Sequence, residues 1–319
     1  MFMIRDGFGR SFKTLRISLL DRCNFACTYC VDRESTEFGL KRMDLLKTEE
    51  WVRLVEGLHS TLDLKKVRLT GGEPTLYPDL KILVKELKNL NIPEISITTN
   101  GSVLSKQVLE LREAGLDSIN ISLDAVTQES FKTMSRRSAL KQTLRGIEAA
   151  ISSGLKVRIN CTLVRGKNED QIIPILEYSW EKGIVPRFLE LMRMGYLQNS
   201  DTVPIFTQKE ILERVENEYG SLTSQVRKES STANYWNTKD GNSFGIIANE
   251  STPFCRDCDR LRLDSKGNLY GCLSSSTGFP LPKLMEQGID MEQILTLALR
   301  QKQDLRFKGS DLTMMAIGG

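Results

Sequence analysis

Histidine is almost missing from this chain: His59 stands alone among 319 residues. That scarcity leaves little room for histidine-centred hydrolysis or for a mixed cysteine and histidine zinc site. His59 falls in a stretch of helical period, 48–62, where a surface place suits it best. An excess of one charge is lacking as well. Lysine and arginine number 44 against 41 aspartates and glutamates, a net charge of +3, so no broad basic field exists to hold duplex nucleic acid, and an anionic partner has to be met locally. No uncharged run reaches the ~18 residues that span a bilayer. The opening MFMIRDGFGRSFK scatters charges among few apolar residues and lacks the core of a secretory signal. The expectation is a cytoplasmic protein that binds neither membrane nor nucleic acid. Cysteine, in contrast, occurs seven times. An odd number in a reducing compartment argues against a disulfide framework and for metal or redox use.

Length and patterning predict the frame that carries these cysteines. At about 150 residues per domain the chain holds roughly two, and 40% apolar residues suffice for a sizeable core. Short β-branched runs at 15–20, 66–71, 94–100, 118–124, 156–164 and 186–192 alternate with amphipathic segments. Strand and helix alternating over six units predict a parallel sheet curling into a partial, TIM-like (β/α)6 barrel of the α/β class, with reactive residues at the strand C-terminal ends. After about residue 195 the rhythm changes. A helix over 207–219, a polar stretch 221–242, the run FGIIAN, a cysteine segment, and RLRL and NLYGCL around a 265–268 turn predict a second, smaller unit. A last amphipathic helix, MEQILTLALRQKQD, precedes the tail FKGSDLTMMAIGG. The expected division is 1–195 and 196–319.

Cys23, Cys27 and Cys30 form CNFACTYC directly after the first strand. Three thiolates spaced CxxxCxxC can ligate three corners of a cubane [4Fe–4S] cluster and leave the fourth iron open. A zinc knuckle is disfavoured, because no fourth cysteine or histidine lies nearby. This spacing, with Tyr29 before the last cysteine, resembles the radical S-adenosylmethionine (SAM) superfamily. Gly71-Gly72-Glu73-Pro74 after the second strand, Thr99-Asn100-Gly101 after the third and Ser122-Leu123-Asp124 after the fourth continue the likeness in order. The resemblance implies that the open iron chelates SAM, whose one-electron cleavage yields a 5′-deoxyadenosyl radical that takes a hydrogen atom from substrate. It places SAM contacts on Tyr29, Gly72, Glu73, Thr99, Ser122 and Met192.

Cys255, Cys258 and Cys272 make a second triad, in which two short strands and a turn bring the third cysteine back to the CxxC. Neither cysteine nor histidine follows Cys272, so three ligands again imply a cluster with an open iron. Cys161, in the fifth strand, is expected in the core. Here the chain is similar to the GTP 3′,8-cyclases of molybdenum-cofactor biosynthesis, on CNFACTYC, GGEP, TTNG, SLDA, RFLELM, the FCRDCDRLRL to CL segment and the final Gly318-Gly319. The resemblance implies two [4Fe–4S] clusters, SAM, and GTP as substrate. Abstraction of the ribose 3′ hydrogen would join C3′ to C8 of guanine and give (8S)-3′,8-cyclo-7,8-dihydroguanosine 5′-triphosphate.

GTP contacts carry over to Arg16, Lys66, Arg68, Arg158, Arg187, Arg260 and Arg262. Residues two apart on a strand share a face, so 66 with 68, and 260 with 262, present paired cations to one cavity, and guanidinium forks suit phosphate oxygens. The tail, with Gly318 and Gly319 as catalytic residues, is expected to insert into the site, against the ordinary reading of a frayed end. An electron donor such as flavodoxin, the next enzyme of the pathway (pyranopterin synthase) and a second copy of the chain are the expected partners. Asp259, Arg158 and Arg193 depart from the family pattern and bear on nucleotide recognition. Competing readings are a radical SAM enzyme acting on another nucleotide or on a peptide, with the second triad as an auxiliary cluster, and a non-catalytic metal-binding module.

Overall fold

The computed structural model describes residues 4–32, 45–198 and 204–318. Six strands, β1 (Thr14–Ser18), β2 (Lys66–Thr70), β3 (Glu94–Thr99), β4 (Ser118–Ser122), β5 (Lys156–Leu163) and β6 (Pro186–Glu190), lie side by side in chain order, each parallel to the next. The crossovers are α1 (Thr48–Leu62), α2 (Leu80–Asn89), α3 (Val108–Glu113), α4 (Gln128–Ser135) with α5 (Leu140–Ser152), and α6 (Ile172–Glu181). Alternation along the strands sorts the faces. Ile17, Val67, Leu69, Ile95, Ile97, Ile119, Ile121 and Ile159 are fully buried in the main core, where helix residues such as Trp51, Leu54, Val55 and Leu58 of α1 meet them at helical spacing. The intervening residues point to the other face, and there the sequence turns to arginine, serine, threonine and asparagine.

The residues after 196 extend this sheet at both edges. β10 (Arg260–Leu263) adds in parallel beside β1, pairing Arg16 with Arg262, and β9 (Ser243–Ile247) adds in parallel beside β6. Antiparallel strands continue outward: β11 (Asn268–Tyr270) and β12 (Phe279–Pro280) on one side, β8 (Asn234–Asn237) and β7 (Thr223–Ser224) on the other. The twelve described strands form one open sheet with β12 and β7 at its ends. The residues after 196 thus add two flanks to the part-barrel sheet, plus α7 (Gln208–Tyr219), α8 (Leu281–Glu286), α9 (Met291–Leu299) and α10 (Met314–Ile317).

Three local features differ from the sequence-based expectation. The polar stretch 221–242 contains β8, which pairs with β9, and β7, which pairs with β8, in spite of low apolar content. α4 was not anticipated. The last long helix stops at Leu299 instead of running to residue 304, because Gln301 turns its side chain to accept from Gly271 N at 2.8 Å and Lys302 buries its ammonium.

Candidate active site

The loop after β1 carries the first triad and is held from two sides. Ala26 N and Thr28 N donate to Ser135 O and Met134 O of α4 (3.2 and 2.9 Å), and Phe25 packs edge-on against Phe131, ring centroids 5.9 Å apart. On the other side, Gly72 N donates to Leu20 O at 2.6 Å and Glu73 N to Arg22 O at 2.8 Å. This close approach explains the glycine pair. A Cβ at Gly72 would stand 2.0 Å from Arg22 O, and Gly71 has φ +129° with a Cβ position 2.4 Å from Leu20 O.

Glu73 is buried and spends its carboxylate on the neighbouring strand end. Oε1 accepts from Thr75 Oγ1 and Thr99 Oγ1, both at 2.5 Å, and Oε2 from Asn100 N at 2.7 Å. Burial raises its pKa, and these donors oppose the rise. Tyr29 donates to Asp124 Oδ2 at 2.8 Å while Asp124 Oδ1 accepts from Thr162 N at 2.8 Å, and burial pushes Asp124 up to about 6. Burial, followed by Glu73, pushes the Cys23 thiol up to about 11.

Below the cysteines a belt of cations crosses the inner face. Arg262, Arg16 and Arg68 are lateral neighbours on β10, β1 and β2. Arg68 donates to Ser96 Oγ at 3.3 Å, and the buried Nε of Arg16 has no hydrogen-bond partner among the described residues. Arg187 of β6 donates to Asn160 Oδ1 at 2.9 Å and Asn120 Oδ1 at 2.5 Å. Burial and then the neighbouring guanidiniums push Arg68 down to about 9 and Arg262 to about 10. Buried like charges destabilise one another, and a polyanion placed among them offsets the cost.

The second triad faces this belt from the opposite end of the strands, at the N-terminal end of β10 beside Thr14 of β1. Cys258 N donates to Cys255 O at 3.1 Å, and the β10–β11 hairpin returns the chain to Cys272. All six triad cysteines, with Arg16, Arg68, Arg187, Arg260, Arg262, Tyr29, Gly72, Glu73, Thr99, Ser122 and Met192, line a single cavity of about 250 Å³. Lys66 and Arg158 do not reach its wall. Lys66 pairs with Glu94 at 2.7 Å, and Arg158 lies one step down β5 from Asn160, level with Asn120. Gly318 sits behind the wall: Arg262 donates to its carbonyl and to Ile317 O, and Ser18 Oγ donates to Met315 O at 3.0 Å. Gly319 lies outside the described residues. Cys161 is buried in the core.

Sequence reasoning missed the residues that brace the second triad. Arg10, paired with Asp6 at 2.6 Å, donates to Cys255 O and Gln303 O. Asp257, inside the CxxC, takes Arg227 at 2.8 Å and Ser230 N at 2.9 Å, pinning the polar stretch to the cysteine turn. Burial would raise the Cys258 thiol, but Arg260 and Lys302 outweigh it and bring it down to about 6. Glu190, at the end of β6, accepts from Gln208 N (2.8 Å), Glu250 N and Ser251 N (both 2.9 Å) and Ser251 Oγ. Glu190→Ala should therefore cost about 2–4 kcal/mol by stranding these donors. Hydrogen exchange at residues 249–251 measures the effect, and unchanged protection would contradict it.

The comparisons with known proteins agree with this geometry. Residues 17–179 match the Radical SAM superfamily and residues 184–308 match Molybdenum Cofactor Synthesis C. The chain is 38% identical over 307 residues to the GTP 3′,8-cyclase of Staphylococcus haemolyticus strain JCSC1435, covering 92% of this chain and 89% of that one. It is 37% identical over 300 residues to that of Staphylococcus carnosus strain TM300, covering 91% and 87%. The chain belongs to the GTP 3′,8-cyclase family of radical SAM enzymes. Among solved structures, Streptococcus suis SuiB bound to SAM matches with a TM-score of 0.62 at 16% identity, over 90% of this chain and 68% of that one. SuiB bound to the precursor peptide SuiA gives 0.65 at 15%, over 92% and 71%. At such identities the likeness establishes the fold.

Membership in the GTP 3′,8-cyclase family entails a [4Fe–4S] cluster, SAM and a second cluster. The donors fit. Each triad offers three free thiols on the cavity wall, the donor set that holds three corners of a cubane. No helix among the described residues is long and apolar enough to cross a membrane.

Proposed function

We propose that this chain converts GTP to (8S)-3′,8-cyclo-7,8-dihydroguanosine 5′-triphosphate, the first rearrangement toward a pyranopterin in molybdenum-cofactor biosynthesis. The observation that carries the reading is one cavity with the first cysteine triad beyond the C-terminal end of β1, the second at the N-terminal end of β10, and buried arginines in lateral register between them. Cys23, Cys27 and Cys30 would hold one cluster, and Cys255, Cys258 and Cys272 the other. When bound, the first cluster and SAM supply the one-electron cleavage that provides the hydrogen-abstracting radical.

The chain's own residues bind, orient and exclude water. Arg16, Arg68 and Arg187 hold the triphosphate, with Arg260 and Arg262 at the second flank, and Lys66 and Arg158 act at longer range beneath them. Tyr29, Gly72, Thr99, Ser122 and Met192 line the SAM side, and Glu73 keeps the ends of β2 and β3 together there. The division at residue 195 is then one of labour: the part-barrel holds SAM, while the flanks hold the base of GTP and deliver the tail with Gly318 and Gly319. An electron donor such as flavodoxin, pyranopterin synthase and a second copy of the chain are the partners this reading implies, in the cytoplasm.

The test is anaerobic reconstitution with iron and sulfide, followed by GTP, SAM and dithionite. About eight irons per chain are expected for two cubanes, with a product isomeric with GTP. The substrate gives one hydrogen atom to deoxyadenosine and regains an electron and a proton. Four irons with one tightly bound zinc would overturn the second-cluster assignment.

Arg68→Ala should weaken GTP by one to two decades and guanosine far less, because it removes a charge-assisted contact worth about 1.5–3 kcal/mol. Arg68 is the cleaner probe, since Arg262 also holds the tail. Equal losses for both ligands, measured by equilibrium binding, would move phosphate recognition elsewhere.

A further inference from the structure

Lys302 is a buried cation that substrate recognition leaves without a task. Its side chain is paired with no carboxylate among the described residues and is only 7% exposed as part of its residue. The ammonium donates to Arg260 O and to Cys258 Sγ, the latter at 3.6 Å, and lies 4.6 Å from the centre of the Phe12 ring. Its two neighbours in sequence are tied to the segments of the other two cysteines of the same triad, one directly and one through Arg10. Gln301 accepts from Gly271 N, beside Cys272, at 2.8 Å and donates to Thr277 O at 2.7 Å. Gln303 O shares Arg10 with Cys255 O. Three consecutive residues, placed by the early end of α9, thus reach the three cysteine segments, Gln303 by way of Arg10.

The charge around the two triads is opposite in character. Glu73 and Asp124 face the first triad, with Arg137 as its cation. Arg10, Arg260 and Lys302 face the second. Net charge and hydrogen bonds to the sulfurs set the potential of an iron–sulfur cluster, and donors and cations favour the reduced, more negative state.

We propose that residues 301–303 form a clamp on the second cluster, in which Lys302 is a positioning residue whose hydrogen bond to the Cys258 sulfur, together with its charge, eases one-electron reduction of that cluster. The inference rests on the reading that the second triad holds a cluster. Its test uses the full chain in a Cys27→Ser background, so that the remaining irons belong to the second triad. Potentiometric titration with dithionite, followed by electron paramagnetic resonance, supplies one electron per cluster and reads the midpoint.

With Lys302→Met the irons should stay and the reduction equilibrium should fall about tenfold, which is ~59 mV for a one-electron couple. Lys302→Arg should keep the midpoint within threefold of the parent. Loss of the irons in Lys302→Met but not in Lys302→Arg would also support the clamp, through its charge. A parental midpoint and full iron in Lys302→Met would overturn it, as would loss of the irons in both variants, which points to packing alone. If the Cys27→Ser parent holds no iron, the cluster assignment itself fails, and that result is distinct from the others.

Discussion

Replacing Cys27 by serine should abolish SAM cleavage, a fall of at least about three decades or ~4 kcal/mol in barrier. Replacing Cys258 by serine should stop GTP conversion while sparing uncoupled formation of deoxyadenosine. The asymmetry follows from placement. Cys27 belongs to the loop braced by α4 and by the Gly72-Glu73 turn, on the side where Tyr29, Thr99 and Ser122 line the cavity. Cys258 stands at the opposite end of the strands, among Arg260, Lys302 and the hairpin that returns to Cys272. Loss of the second triad leaves in place the bonds from the first loop to Ser135 O and Met134 O and from Gly72 and Glu73 to that loop. Deoxyadenosine and cyclised product are counted in the same anaerobic assay, with circular dichroism to verify folding. Equal loss of both products in both variants would contradict the division of labour.

The strands and both triads were legible because their signals are local. Alternation of β-branched and polar residues marks a strand and assigns each side chain to a face, and the cysteine spacings lie within single loops. What alternation cannot give is depth along the barrel. Lys66 and Arg68 share a face, yet Arg68 reaches the cavity while Lys66, one step toward the strand N-terminus, pairs with Glu94. Arg158 and Asn160 repeat the pattern on β5.

The supports of the second triad were illegible for another reason: their partners are remote in sequence. Arg10 reaches Cys255 and Gln303 across some 245 and 293 positions, and Glu190 meets Glu250 and Ser251 about 60 positions away. Lys302 lay hidden in a stretch of helical period, where a lysine reads as solvated until the helix is seen to end three residues earlier. α4 went unread because QESFKTMS offers only Phe131 and Met134 as apolar anchors, too few to declare a period.

The tail gives the second large effect, and Gly318→Ala is its sharpest probe. Gly318 has φ +76°, and a Cβ built there would stand 2.5 Å from Thr70 Cγ2. Thr70 ends β2 and is buried, so it cannot swing aside. The left-handed backbone alone costs an alanine roughly 1–2 kcal/mol, and the contact adds to it, so the tail should leave its seat. Leaving breaks the bonds from Arg262 to the Gly318 and Ile317 carbonyls and from Ser18 to Met315 O. Met314 and Met315, which line the cavity, would move with it. Arg262 is then released from its fixed position beside Arg16, and the substrate loses an ordered wall. GTP turnover should fall about two decades, ~2.7 kcal/mol in barrier, while iron content and SAM binding stay at parental levels, since no support of the first triad touches residue 318. Iron, SAM affinity and product are measured on the same preparation. Parental turnover in Gly318→Ala, with both clusters in place, would show that the seat of the tail between Ser18, Thr70 and Arg262 has no part in the reaction.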